Sequence, residues 1–268
     1  PYQTPSKKNS YPRGNPAEPA EHMIEEPYRW LEAMGNRRDY VREQLKSGTP
    51  VLGTSLQEGI LLLGVGSGQS KVFELFDRHA MAGLGHPADL EKIRQAAIDA
   101  AHMESFTRAP EDVSLRRLVS FGLSGQLKSN FEQIFSAPFL IELLLAELGS
   151  SPKEDLFFRL HFDGSFQSQN GGIVGCASQN DQEQAAQQWL QQATHGKMNR
   201  RDAADLLLQA WWCLSRQKSF DGSLPAESER QKGWRKATED KIVEIGWLSR
   251  GASRQAKYDS LTLDSLQS

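Results

Sequence analysis

Residues 61–103 read LLLGVGSGQSKVFELFDRHAMAGLGHPADLEKIRQAAIDAAHM, and the local signals in this stretch agree with one another. Three short apolar runs, LLLGV, KVFELF and HAMAGLG, are separated by the glycine-rich segment 64–70 and by Asp77 and Arg78, which predicts a meander of strands. Pro87 then takes the first position of a helix. Asp89 and Glu91 fall in its first turn, near the positive end of the dipole, and Leu90, Ile93, Ala97 and Ala101 recur at helical spacing. Three strands therefore hand over to one amphipathic helix.

Working outward, Trp30, Leu31, Met34, Val41 and Leu45 are set among Arg and Glu, with Gly35 and Asn36 interrupting. This predicts a short helical or irregular entry, then a helix stopping near Gly48. Two antiparallel strands, 51–55 and 60–65, follow around a turn at Gln57, Glu58 and Gly59. Downstream, Pro110, Glu111 and Asp112 open a second helix with an apolar stripe of Leu127, Phe131, Ile134 and Phe135, ended by Pro138. FLIELLLAEL, 139–148, is apolar almost throughout and reads as a strand buried on both faces. LFFRLHF, a turn at Asp163 and Gly164, and GGIVGCAS supply further strands.

Two more helices are predicted. One carries Ala185, Ala186, Trp189 and Leu190, and the other starts at Asn199 capped against Asp202 and runs through Ala203, Leu207, Trp211 and Leu214. Residues 219–240 are polar and broken by Gly222, Pro225 and Gly233, a long loop with room for one helical piece. Strands at 241–249 and 257–261 close the domain. Residues 1–26 hold too few aliphatic side chains to offset ordering entropy and read as a disordered tail, with Met23 as an alternative start. One domain over 27–262 and a frayed tail at 263–268 complete the division.

Composition narrows the function. A net charge of -3 with interspersed signs gives no basic field for nucleic acid. No apolar run approaches the length of a membrane span and no secretory start is visible, so a cytoplasmic protein is expected, with Cys176 and Cys213 as buried free thiols. The six histidines are scattered without metal-ligand spacing, and no cofactor is implied. GVGSGQSK, 64–71, lacks the glycine before its lysine and the Ser or Thr after it, so it reads as a hairpin loop and not a phosphate loop. Trp211 and Trp212 are core or interface residues.

The predicted order is strands, two helices, strands, two helices, strands. Strands apolar on both sides must be covered on both faces, which two stacked sheets with a helix pair outside each one satisfy. This is an α+β fold, a four-layer αββα sandwich. KVFELFDRHAMAGLGHPADLEKIRQAAIDAAH, with the upstream YVREQLKSGTPVLGTSLQEGILLLG, resembles the first half of a proteasome α-type subunit of the bacterial variety, co-linear over 28–214. The four-layer sandwich is also what that resemblance implies, as the fold of the N-terminal-nucleophile hydrolases.

By the same resemblance, catalytic β-type subunits are cut between Gly and Thr and attack with the freed threonine, its own α-amine serving as base. Gly48-Thr49 falls at that place, and Thr54 after Gly53 is a weaker candidate inside a predicted strand. Lys71 matches the lysine that supports the nucleophile, but Val65 stands where the second strand should end in Asp, and Pro50 departs from the pattern. Thr49 is thus expected to be an ordinary strand-entry residue. Self-processing threonine hydrolysis, and a scaffold of this fold with no proteolytic partner, are the alternatives.

The resemblance further implies a noncatalytic subunit. It would form a seven-membered ring with other α-type chains, stack on β-type subunits, gate unfolded protein substrates and dock an ATPase or other activator. The family's pocket for an activator C-terminus maps onto Lys71, Arg42 and Gly85, and its gate tyrosines onto Tyr40 and Tyr28. The entry helix and the first long helix are expected at ring contacts.

Overall fold

The computed structural model describes residues 22–171, 173–176, 183–193, 198–216 and 225–267. Helix α1 (His22–Leu45) leads into strands β1 (Val51–Leu56) and β2 (Gly59–Gly66), then β3 (Val72–Phe76) and β4 (His79–Gly85). Helix α2 (Pro87–Thr107) follows. A second helical stretch starts with α3 (Leu115–Arg117), widens to π geometry over Leu118–Leu123 and ends as α4 (Ser124–Glu132). Strands β5 (Ile141–Glu147), β6 (Leu156–His161), β7 (Phe166–Asn170) and β8 (Ile173–Cys176) precede helices α5 (Glu183–Ala193), α6 (Arg200–Ser215) and α7 (Glu227–Thr238). Strands β9 (Ile242–Ser249) and β10 (Tyr258–Leu261) and a 3-10 turn (Asp264–Gln267) close the described chain.

These strands make two antiparallel five-stranded sheets, ordered β10-β9-β2-β1-β8 and β3-β4-β5-β6-β7. The period of two in the strands decides the layers. Along β2, Ile60 and Leu62 join the core between the sheets, while Leu61, Leu63 and Val65 pack on α6 residues such as Leu207 and Trp211. Along β5, Leu144 and Ala146 face inward, while Ile141, Leu143 and Leu145 meet Leu90 and Ile93 of α2 and Leu127 of α4. The result is the four-layer sandwich that the strand pattern requires. Leu90, Ile93, Ala97 and Ala101 form the buried face of α2, as their spacing predicts, and burying each leucine or isoleucine contributes roughly 1.5–3 kcal/mol.

Four sequence-based expectations need correction. First, β2 and β3 do not pair in one meander: they belong to different sheets, and residues 67–70 cross between them. Gly64 permits the crossing, since a Cβ there would stand 3.1 Å from Lys71 Cβ, and the Glu244 carboxylate on β9 accepts from the Lys71 and Val72 amides at 2.8 and 3.1 Å. GVGSGQSK is therefore an intersheet crossing and not a hairpin loop. Second, Gly35 and Asn36 do not interrupt α1, which is continuous. Glycine costs a helix only about 1 kcal/mol, and α1 is held from outside, burying Met34, Val41 and Leu45 on the intersheet core, with Arg37 donating to the Asn130 carbonyl at 3.3 Å.

Third, the second long helix begins at Ser114, which caps the Arg117 amide, because Pro110–Asp112 forms a separate 3-10 turn. It stops at Glu132, leaving Ile134 and Phe135 outside it and exposed. The Asn130 side chain ends it by accepting from the Phe139 amide at 3.0 Å and donating to the Ala137 carbonyl at 3.3 Å, a competitor to helical bonding. Fourth, the end read as a frayed tail forms a turn that packs Leu263 and Leu266 on the α6 side, while the helical piece that 219–240 had room for is α7. Helix α1 starts within the stretch assigned to the N-terminal tail. Residues 1–21 and 217–224 lie outside the described residues.

Asn199 caps α6 by accepting from the Asp202 amide at 2.8 Å, as expected. Trp211 and Trp212 are core residues. Cys213 is a buried free thiol whose pKa burial pushes up to about 11, while the side chain of Cys176 lies outside the described residues. Among the described residues no helix is long and apolar enough to cross a membrane.

Candidate functional site

Thr49 enters β1, Val65 ends β2 and Lys71 precedes β3, so the crossing between the sheets is what brings these three together. The Thr49 hydroxyl donates to the Val65 carbonyl at 2.6 Å. Lys71 Nζ donates to the Thr49 hydroxyl oxygen and, at 3.1 Å, to the Thr49 carbonyl. The hydroxyl proton is thereby committed to Val65 and one of its two lone pairs to Lys71. An α-amino group to act as base would exist at Thr49 only after cleavage behind Gly48.

Burial lowers the Lys71 ammonium to about 8, against the attraction of Glu244, and Lys241 pushes it the same way as burial. Glu244 spends its Oε2 on the two backbone amides. Among the described residues no carboxylate is hydrogen-bonded to Thr49 or ion-paired with Lys71. The side chain at 65 is an aliphatic one facing α6, so the acid that would fix a lysine beside a reacting threonine is replaced by a backbone carbonyl. An ammonium has three donors, and two of Lys71's reach Thr49, which leaves one for an incoming group.

The Gly83 amide of β4 donates to the Lys71 carbonyl at 2.9 Å, and Gly85 lies two residues further along the same strand. Its own requirement is conformational. At φ 128° a Cβ would stand 1.9 Å from the Leu140 carbonyl oxygen, a separation only glycine avoids. Arg42 sits in the last turn of α1, 3.9 Å from Asp39, and among the described residues no hydrogen bond or ion pair joins it to Lys71 or Gly85. Tyr28 and Tyr40 are both exposed on α1, about 18 Å apart along its axis at 1.5 Å per residue. Thr54 is buried in β1, as its strand position predicts.

The model of the family described as Proteasome subunit matches residues 45–224, which include the whole Thr49, Val65 and Lys71 cluster. The chain belongs to the proteasome subunit family. Within it, the chain is similar to proteins named Proteasome subunit alpha. That of Paenarthrobacter aurescens strain TC1 is 32% identical over 146 residues, 53% of this chain and 60% of that protein. That of Streptomyces coelicolor is 29% identical over 205 residues, 73% of this chain and 75% of that protein. The chain thus spans only 60% of the Paenarthrobacter relative, while a longer alignment reaches the Streptomyces one.

Sequence reasoning missed Glu244, the residue that ties the proteasome-type crossing to β9. It lies 173 residues from Lys71, in an ordinary strand pattern, and carries no local signal. It also missed the pairing of His161 with the buried Glu142, which stand opposite each other only once β5 and β6 are in register.

Proposed function

We propose that this chain is a noncatalytic α-type subunit of a proteasome core, working in the cytoplasm. It joins other α-type chains in a seven-membered outer ring, stacks on β-type subunits and limits the entry of unfolded protein. One observation carries the noncatalytic reading: the Thr49 hydroxyl gives its proton to the Val65 carbonyl, where hydrolysis would need a carboxylate-held lysine and a free α-amine. The similarity to subunits named alpha supports it.

Lys71 is the cation of the activator pocket on this reading, its remaining N–H taking a terminal carboxylate. Gly85 shapes the adjoining backbone, and Arg42 reaches the pocket from α1. Tyr40 and Tyr28 belong to the gate, as do residues 1–26. The exposed faces of α1 and α2 supply ring and inter-ring contacts.

Coexpression with a β-type chain that carries the full Thr, Asp and Lys set, followed by electron microscopy, tests the assembly. Stacked rings containing this chain with its residues before Thr49 intact are expected. A purified chain whose mass begins at Thr49 and which cleaves peptides alone would instead establish threonine hydrolysis.

A further inference from the structure

A cavity of about 420 Å³ opens between α6, α7 and the C-terminal turn, within the range of ligand pockets. Leu208, Leu263 and the Trp234 ring give it an apolar lining. Four charged side chains line it as well: Arg201 and Asp205 on α6, Arg235 on α7 and Asp264 at the start of the turn. None of the four belongs to an ion pair among the described residues. Among the described residues Asp205 accepts from a neutral amide, that of Gln209 at 2.7 Å, and Arg235 lies over the Trp234 ring at 5.4 Å.

Two cations and two anions around one apolar hollow, none neutralised by another, complement a ligand that carries both signs and an apolar body. A simple anion would gain from the arginines and lose to the aspartates, and a simple cation the reverse. Helix α7, which closes one side, lies wholly beyond residue 224, where the match to the family ends. Gly233 lets it close, because a Cβ there would meet the Trp212 ring at 2.2 Å.

We propose that this cavity binds a zwitterion with an apolar side chain, a free α-amino acid or a short peptide. The carboxylate is held by Arg201 and Arg235, the ammonium by Asp205 and Asp264, and the side chain lies against Leu208, Leu263 and Trp234. Lys71 is not among the residues that line it.

Calorimetric titration of the full chain tests this with L-phenylalanine and L-leucyl-L-phenylalanine, against N-acetyl-L-phenylalanine and L-phenylalaninamide, each of which keeps one charge. Saturable binding of a zwitterion is expected at about 1 mM or tighter, given the affinity available per ligand atom. Each singly charged analogue is expected to bind about tenfold more weakly. The zwitterion that binds more tightly identifies the source, and either result supports the site. Leu263→Trp, which fills the cavity, is expected to abolish binding. Arg235→Gln with Asp264→Asn, on exposed positions that leave the fold untouched, is expected to weaken it and keeps the test intact if Leu263→Trp misfolds. No saturable binding of either zwitterion overturns the proposal. So does equal binding of a singly charged analogue, or wild-type binding by the folded variants.

Discussion

Lys71 donates to Thr49 twice, once to its hydroxyl and once to its carbonyl, so the residue that would dock a partner is held by the residue that would have reacted. The two are 22 positions apart and meet because residues 67–70 cross from one sheet to the other. Thr49 thereby becomes a positioning group. It fixes the ammonium and leaves one N–H directed by what remains.

The docking role proposed for Lys71 predicts a pH dependence. Its pKa in the folded chain is about 8, so the cation is lost as pH rises through that value. Binding of a peptide ending in the activator's free carboxylate is expected to fall over the same range, and binding of the corresponding amide to stay flat. Lys71→Met, which retains the alkyl stem beside Gly64, is expected to weaken the carboxylate peptide about 10-fold or more at pH 7, the worth of a hydrogen bond to a charged group. Wild-type affinity in that folded variant would reject Lys71 as the docking cation.

Removing residues 1–21, which leaves the described part of α1 whole, is expected to raise peptide hydrolysis by a particle assembled with β-type subunits. Fluorogenic peptide turnover per assembled particle measures it. Equal turnover with and without the segment would deny it a gating role.

Asp155 is fully buried and is held by Arg250 at 2.9 and 3.0 Å, by the Gly149 amide at 2.9 Å and by the Ser55 hydroxyl. Arg250 also donates to the Leu56 carbonyl at 3.2 Å, joining the β1–β2 turn to the end of β5 and the β9–β10 connection. Arg250→Ala strands a carboxylate without a counter-charge. It is expected to lower unfolding stability by about 3–5 kcal/mol in a denaturant titration, whereas loss of the exposed Arg254–Asp259 pair is expected to change it by less than about 1 kcal/mol.

His161 Nδ1 lies 2.6 Å from the buried Glu142 carboxylate on the adjacent strand. Burial depresses the imidazole, but the hydrogen bond and charge of Glu142, with help from Asp163, outweigh that and the opposing Arg159, leaving its pKa above 6.5. A raised folded-state pKa stabilises the chain fully below the unfolded value and loses that contribution as pH climbs through the folded one. The melting-temperature advantage over His161→Gln is therefore expected to shrink as pH rises above the ordinary imidazole value of about 6.5. A difference independent of pH would show that the pair is not titrating there.

Much of the fold was legible because its signals are local. ILLLGV, 60–65, alternates between two cores, and both alternations are apolar, which only a strand covered on two faces requires. Likewise Pro87, Asp89 and the Leu90 to Ala101 spacing mark α2 without reference to anything else. The helix through Glu132 was misread at its start because Pro110–Asp112 turns separately ahead of the Ser114 cap, and at its end because Asn130, in its last turn, accepts from the Phe139 amide of the following loop and outbids the apolar pattern at Ile134 and Phe135. Glycine at 35 misled for the reverse reason: a local penalty of about 1 kcal/mol is small beside the contacts that hold α1 to the core.

At the site, the types and order of Thr49, Val65 and Lys71 were visible in the chain, and with them the missing acid. What the amino-acid order alone determined is most of the strands and helices, though not β7, and the absence of an aspartate at 65, since periodicity and residue identity are properties of neighbours. Only the tertiary structure decided that β2 and β3 part into separate sheets, that Glu244 anchors the crossing, and that four charged side chains from α6, α7 and the C-terminal turn share one cavity. Those are encounters between residues far apart in sequence, and they form only when the sheets close on a common core.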